Sequence, residues 1–386
     1  MKYLLTYEDA KLICEKYNHK NFWEIQFMIN GYKLSSFNYF ICGWNDFNNP
    51  INNTEVNAFD MRGTTFVFNK DGSLWKKFFM LPKFFNLNQV EKTQYEALKS
   101  KKINSITQKE DGSLIAFMIL PDGKLFSKTI GSFASDQALN ALTLLYYDEE
   151  HVLWVKKLLN DGFTPLFEYV ARDNRIVLSY GKAHLRFIGI RNNITGEYCS
   201  SAEMNTSKIP KSIYIVEEIF STLDDLISLS KIKKDKEGWV VKFEDGLLVK
   251  IKTHWYFSLH GIRTENVFRE DYVIKNYLEE TLDDLLSLLD PVKDQDAFEF
   301  VDKVTKAINN YIDHIESYVS YLIQRYENEF QNNWKEYATK CHSEPYFGLS
   351  RVMIERPIEF KKKLIELVLE RTSKFKNAKE LIQKYS

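Results

Sequence analysis

The chain is poor in the features that would tie it to an oxidising compartment or a bilayer. Its 386 residues hold four cysteines, Cys14, Cys42, Cys199 and Cys341, lying far apart with no C-x-x-C pair. That usage suits reduced thiols better than disulfides or a zinc site. No run approaches the roughly 18 to 20 apolar residues that a membrane span requires. The N-terminal stretch MKYLLTYEDAKLICEKY meets acids at Glu8 and Asp9 before an apolar signal core can form. A surplus of one charge is missing too: 52 Lys and Arg against 53 Asp and Glu give a net charge of −1. No global basic field therefore announces a nucleic-acid binder, and any such site must be a local patch. Internal repeats and low-complexity segments are absent. His254 and His260 flank Trp255-Tyr256 without metal-ligand spacing to a cysteine, which leaves them packing or surface roles. These absences predict a soluble cytoplasmic protein with no membrane partner.

What is present is enough for two cores. Hydrophobic residues make up 44% and aromatics 15%, and the length accommodates two domains. Up to about residue 255 the chain reads as α/β with many hairpins. Strands are expected at Thr64–Phe68, Leu114–Leu120, Leu166–Val170, Ile176–Tyr180, Leu185–Ile190, Trp239–Phe243 and Leu247–Ile251. Helical spacing covers Ser135–Leu159, ending at Asp161-Gly162, and a shorter helix is predicted over Thr222–Ser230. Beyond about residue 260, Val304, Ile308, Tyr311, Ile315, Val319, Leu322 and Tyr326 form the stripe of a long amphipathic helix. A second such helix is expected from Pro357 to the end. The boundary falls between 255 and 265, giving domains at 1–258 and 259–386.

Lys109-Glu110-Asp111-Gly112-Ser113 places a lysine two residues before a tight Asp-Gly turn, between the β-prone segments Ile103–Ile106 and Leu114–Leu120. Lys109 should therefore end a strand and point into a cleft. K-x-D-G is the signature of lysines that become covalently nucleotidylated. Such a lysine attacks phosphorus only as the neutral amine, so its site needs neighbouring cations and desolvation. Lys70-Asp71-Gly72-Ser73, lacking the intervening residue, reads as an ordinary hairpin turn, and Asp122-Gly123 and Asp245-Gly246 are further Asp-Gly turns.

Other residues gain meaning from that lysine. Strand alternation puts Lys250 and Lys252 on one face, which fits a solvent face and a phosphate clamp equally well. Glu168 is a carboxylate in the apolar strand Leu166-Phe167-Glu168-Tyr169-Val170, facing solvent or held for a purpose. Glu237 precedes Gly238 at the start of the hairpin ending in the two lysines. Arg62-Gly63 precedes another apolar strand, and Lys83 lies in Pro82-Lys83-Phe84-Phe85-Asn86.

Taken in order, Arg62-Gly, Lys83-Phe-Phe-Asn-Leu-Asn, Lys109-Glu-Asp-Gly-Ser-Leu, Lys128 in Ser-Lys-Thr-Ile-Gly-Ser, Phe-Glu168-Tyr, Glu237-Gly and Lys250-x-Lys252 form a pattern. With Asp161-Gly-Phe-Thr, Asn174-Arg-Ile-Val-Leu, Thr195-Gly-Glu-Tyr and Trp255-Tyr-Phe-Ser-Leu-His, it resembles the RNA ligase 1 family of T-even bacteriophages, the tRNA-repair type. The resemblance runs from about residue 36 to 260. It implies an α+β fold: a nucleotidyltransferase domain of ATP-grasp-like antiparallel sheets with helices, then an all-helical domain concerned with RNA or tRNA specificity. It also implies ATP-dependent joining of 5′-phosphate and 3′-hydroxyl RNA ends through a lysyl-AMP and then an RNA-adenylate. ATP and Mg²⁺ (or Mn²⁺ in its place) would be the cofactors, and RNA, above all tRNA broken in its anticodon loop, the partner. A monomer, in host-cell cytoplasm if viral, is expected.

On the same resemblance, Lys109 is the nucleophile. Phe37, Arg62, Lys83, Lys128, Glu168, Lys250, Lys252 and Tyr256 are the ATP-site residues: Glu168 at the ribose, Phe37 and Tyr256 lining the pocket, Arg62, Lys83, Lys250 and Lys252 on phosphates, and Lys128 close to the phosphate or RNA path. Glu237, Asp283 and Asp284 are the metal candidates, although adjacent acids such as Asp283-Asp284 also suit a helix start. A DNA ligase or guanylyltransferase would share the first step, but the tail shows no strand pattern for an OB-fold. A nucleotide- or RNA-binding module without catalysis is the third reading, and the full set of motif residues counts against it. From Arg356 onward nine Lys or Arg stand against four Glu, and Lys361-Lys362-Lys363 suits phosphates or a solvated helix face.

Overall fold

The computed structural model describes residues 4–19, 21–40, 42–51, 55–171, 182–259, 266–289 and 293–386. Two compact units divide the chain, Met1–Gly261 and Ile262–Ser386. Among the described residues every strand lies in the first unit, and the second contains helices alone. The expected strand Ile176–Tyr180, the Asn174 stretch and His260 lie outside the described residues.

Three mainly antiparallel sheets build the first unit. β1 (Phe22–Ile29), β2 (Tyr32–Tyr39), β3 (Thr65–Phe68) and β4 (Leu74–Phe78) form one in that order. Lys70-Asp71-Gly72-Ser73 is the hairpin turn between β3 and β4, closed by the Ser73 amide donating to Asp71 Oδ1 at 2.9 Å. A second sheet takes strands from distant parts of the chain: β5 (Phe85–Asn86), β6 (Ile103–Lys109), β13 (Gly238–Phe243) and β14 (Leu248–Lys252), ordered β5-β14-β13-β6. The third comprises β7 (Ser113–Ile119), β8 (Leu125–Lys128), β9 (Phe163–Val170), β10 (His184–Asn192), β11 (Tyr198–Ser200) and the short β12 (Tyr214–Ile215). Its order is β11-β10-β9-β7-β8, with β12 running parallel to β10.

β6 and β7 are consecutive in sequence but belong to different sheets. The Asp111-Gly112 turn is therefore not a hairpin; it carries the chain from one sheet to another, and Lys109 ends the strand on the near side. Only glycine fits at 112, because a Cβ there would stand 2.3 Å from the Tyr169 carbonyl oxygen.

The expected helix over Ser135–Leu159 is two helices, Asp136–Tyr146 and Glu149–Asn160. Asp148 restarts the second by accepting hydrogen bonds from the Glu150 and His151 amides. The periodicity bridges the break because Ala141, Leu145, Val155 and Leu159 all enter one core against β7 and β9. In the second unit the predicted stripe lies on a 34-residue helix, Gln295–Asn328, which buries Val304, Ile308, Tyr311, Ile315, Val319 and Leu322. The expected last helix is a single turn at Pro357–Glu359 followed by helices Phe360–Thr372 and Phe375–Tyr385. No helix among the described residues is long and apolar enough to cross a membrane.

Candidate active site

The sheet β5-β14-β13-β6 has two faces with opposite duties. Ile106, Trp239, Val241, Val249 and Ile251 pack with Leu223 and Leu226 of the helix Leu223–Ile232. The other face presents cross-strand rows fixed by register. Gly238 pairs with both Lys109 and Lys252, and Val240 pairs with both Thr107 and Lys250. Three lysines from three positions in the sequence thus share one face. Gly238 leaves the space between Lys109 and Lys252 open, and a Cβ there would meet the Ile251 carbonyl oxygen at 2.0 Å.

That face forms one wall of a cleft of ≈ 430 Å³ whose lining includes Arg62, Lys83, Lys109, Glu168, Lys250 and Lys252. β9 and β7 supply another wall through Glu168, Ser113 and Leu114, and the segment Thr129-Ile130-Gly131 closes a third side. Tyr39, Phe84, Gln108, Glu110 and Tyr198 also line it.

Glu237 is the electrostatic centre. Buried to 3% exposure, it accepts from Lys109 Nζ at 2.9 Å through Oε2 and faces Lys252 Nζ at 3.3 Å through Oε1. A buried carboxylate shared by two ammonium groups holds both in register. Lys252 Nζ also lies 5.1 Å from the Tyr256 ring, Lys250 Nζ lies 5.3 Å from Phe84, and Lys83 Nζ stands 5.4 Å from Phe85. Glu168 is half-buried in the cleft. Desolvation, aided by Glu237 and Glu110, pushes its carboxyl up to about 8 against the pull of Lys109 and Arg62.

The other residues expected at the site take different places. Phe37 is fully buried in an aromatic cluster with Tyr7 and Phe66, and Tyr39, two residues on, lines the cleft instead. Tyr256 is buried beneath Lys252 and donates its hydroxyl to Asp111 Oδ1 at 2.8 Å, so it braces the K-x-D-G turn. Lys128 is wholly buried behind the wall. Its Nζ donates to Gly63 O at 3.0 Å, Ile130 O at 2.9 Å and Ser36 Oγ at 2.9 Å, and burial pushes its pKa down to about 7. It links Gly63, beside Arg62, to the Thr129-Ile130-Gly131 wall. Asp283 and Asp284 belong to the second unit, in the first turn of the short helix Leu282–Leu286.

Two residues were not signalled by sequence patterns. Arg191, 2% exposed, pairs with Asp60 at 2.8 Å and donates to Met80 O at 3.0 Å, tying together the segments that carry Arg62 and Lys83. Glu110, the variable residue of K-x-D-G, is buried and pairs with Arg186 at 2.5 Å. A buried acid inside the motif is visible in sequence only as the unspecified x, and its partner comes from a strand 76 residues away.

Fold and cleft define an α+β protein: antiparallel sheets around a cleft that holds a lysine, followed among the described residues by helices. The chain belongs to the T4 RNA ligase 1 family, whose model, described as RNA ligase, matches residues 61–260. A curated protein of Thermovibrio ammonificans named "Putative RNA ligase" is 29% identical over 206 residues, 52% of this chain and 53% of that protein. The chain thus spans about half the length of that relative. Among solved structures, an archaeal ATP-dependent RNA ligase aligns over 81% of this chain and 82% of its own, at 12% identity and a TM-score of 0.47. An RNA ligase of Naegleria gruberi with ATP and Mn aligns over 62% of this chain and 93% of its own, at 13% identity and a TM-score of 0.35.

Proposed function

We propose that this chain is an ATP-dependent RNA ligase acting through a lysyl-AMP, with residues 1–258 as the adenylyltransferase domain and 259–386 as the RNA-specificity domain. The observation that carries the reading is the convergence of Arg62, Lys83, Lys250 and Lys252 with Lys109 on one cleft of ≈ 430 Å³. Glu237 already meets Lys109 and Lys252, and a triphosphate entering the cleft would meet Arg62, Lys83 and Lys250 as well, so that its charge is neutralised from several sides. A cleft of this volume accommodates a nucleotide.

The chemistry follows from the placement of Lys109. Its Nζ attacks the α-phosphorus, forming a P–N bond while the P–O bond to the β-phosphate breaks and pyrophosphate leaves. Glu237, already accepting from Nζ at 2.9 Å, is placed to hold the proton that the amine gives up. An oxygen of an RNA 5′-phosphate then displaces the lysine from the α-phosphorus, and Nζ regains a proton. Finally a 3′-hydroxyl attacks the activated 5′-phosphorus, forming the phosphodiester and releasing AMP. Arg62, Lys83, Lys250 and Lys252 neutralise phosphate oxygens throughout, and Glu168 meets the ribose.

The donor set fits a hard divalent cation that arrives with phosphate. Among the described residues no group of three or more His, Cys, Asp or Glu is clustered to hold an ion unaided. Glu237 can supply one or two oxygens, and phosphates the rest, as Mg²⁺ commonly requires. Bound there, the ion would neutralise phosphate charge and align the leaving group.

Nicked tRNA as substrate rests on the family resemblance and the basic bias after Arg356. Within that stretch Lys361 pairs with Glu316 and Lys363 with Glu366.

Incubation with α-labelled ATP and Mg²⁺, followed by a denaturing gel, tests the reading. Wild type, stripped with pyrophosphate if isolated already charged, should retain label; Lys109→Ala should retain none. Label on Lys109→Ala would move the nucleophile elsewhere, and no label on stripped wild type would end the ligase reading. Selective charging by ATP over GTP would set aside the guanylyltransferase alternative.

A further inference from the structure

The cleft-facing side of the third sheet does not stop at Glu168. Register aligns Leu114 with Glu168, Glu168 with Arg186, and Arg186 with Tyr214, across β7, β9, β10 and β12. The alternate row, Ile115, Phe167, Phe187 and Ile215, packs into the core, so the first row faces the other way. Leu114 and Glu168 line the cleft. Arg186 and Tyr214 therefore continue the cleft face outward to its rim.

Both rim residues have the chemistry of a nucleic-acid contact. Arg186 keeps 28% of its side chain exposed while Nη1 donates to Glu110, the residue next to Lys109, at 2.5 Å. Its Nε donates to His184 Nε2 at 3.1 Å. That bond fixes His184 as the tautomer protonated on Nδ1, which donates to the Lys182 carbonyl at 2.8 Å. The guanidinium plane is thus set from two sides, one of them the residue that follows Lys109 in sequence. Tyr214 is 64% exposed, with the His184 ring 5.0 Å from its own. An aromatic ring left in solvent beside an oriented guanidinium offers a base-stacking surface next to a phosphate fork.

We propose that Arg186 and Tyr214 form the docking strip for the RNA strand that bears the 5′-phosphate. Arg186 takes that terminal phosphate and Tyr214 stacks on a nucleotide following it. The inference rests on the ligase reading, and it names the entry side of the second substrate. The second chemical step requires a 5′-phosphate oxygen at the adenylated Lys109, and Arg186 is the cation that leads from the rim to that point.

The test is equilibrium binding of a short single-stranded RNA, with either a 5′-phosphate or a 5′-hydroxyl end, to pyrophosphate-stripped full-length protein without ATP. Wild type should prefer the phosphorylated end. Arg186→Ala should weaken binding of the phosphorylated RNA by about tenfold while changing the 5′-hydroxyl RNA by less than about twofold. Tyr214→Ala should weaken both RNAs by about fivefold or more, and Tyr214→Phe should restore them. Equal losses for both ends in Arg186→Ala would make the Arg186–Glu110 pair structural and overturn the proposal. A wild type indifferent to the 5′-phosphate, or Tyr214→Ala binding as wild type, would overturn it as well. Lysyl-AMP formation by wild type separates this failure from failure of the ligase reading itself.

Discussion

Glu168 shows how the cleft tunes a single group. Its carboxyl is pushed up to about 8 mainly by desolvation, so near neutral pH it is protonated and can donate a hydrogen bond. Glu168→Gln keeps that donor, whereas Glu168→Ala removes it. At pH 7 the glutamine variant should retain adenylation within about threefold of wild type and the alanine variant should lose roughly ten- to a hundredfold. As pH rises through 8 the wild-type carboxyl ionises and adds negative charge beside the triphosphate. The ratio of wild-type to Glu168→Gln kcat/KM for ATP should therefore fall above pH 8 and stay level below it. A flat ratio from pH 6 to 9 would show that the group does not titrate there. Lys128 is the complementary case: a lysine expected at the phosphates is walled in by Ser36, Gly63 and Ile130, so its effect on catalysis must pass through the backbone around Arg62.

At the scale of elements, the decisive one is the crossing from β6 to β7. A hairpin would have left Lys109 at the tip of a single sheet; the crossing places it where two sheets converge. Gly112 permits this by passing close to β9, with Tyr169 O 2.3 Å from where a Cβ would be. Gly112→Ala should therefore cost roughly 2 to 3 kcal/mol of stability and displace Lys109, measured as a lowered denaturant midpoint and slowed lysyl-AMP formation. Gly72→Ala, whose Cβ would meet nothing within 4 Å, is the control for loss of a hairpin glycine and should leave adenylation intact. Sequence patterns located both Asp-Gly turns and read Lys70–Ser73 as a hairpin, but nothing local marked Asp111-Gly112 as a crossing between sheets. Local turn chemistry is the same in each, and strand partners are chosen by distant residues.

For the molecule as a whole, each unit has its own apolar core: Trp239 and Phe117 lie in clusters of the first, and Tyr337 and Phe330 in one of the second. Arg62, Lys83, Lys109, Glu168, Lys250 and Lys252 of the cleft all belong to the first unit. A chain ended at residue 261 should then unfold cooperatively by circular dichroism and still form the lysyl-AMP at a rate within about tenfold of the full chain. Its joining of nicked tRNA relative to unstructured RNA should fall, which a competition assay between the two substrates would read. A truncated protein that folds but cannot be charged would show that the helical unit contributes to the first step.

The sequence by itself determined the class of fold, the family and the position of the motif lysines on their strands. Period-two and period-3.6 patterns, turn residues and the order of motif lysines are local properties, written into neighbouring side chains. They also placed Lys250 and Lys252 on one face, because alternation along a strand needs no partner. Tertiary structure decided what meets what. It brought Glu237 between Lys109 and Lys252, sent Phe37 and Lys128 into the interior, and paired Glu110 with Arg186 and Asp60 with Arg191. Those outcomes depend on sheet register and on burial, which are set by contacts between residues far apart in the chain and leave no periodic trace in it.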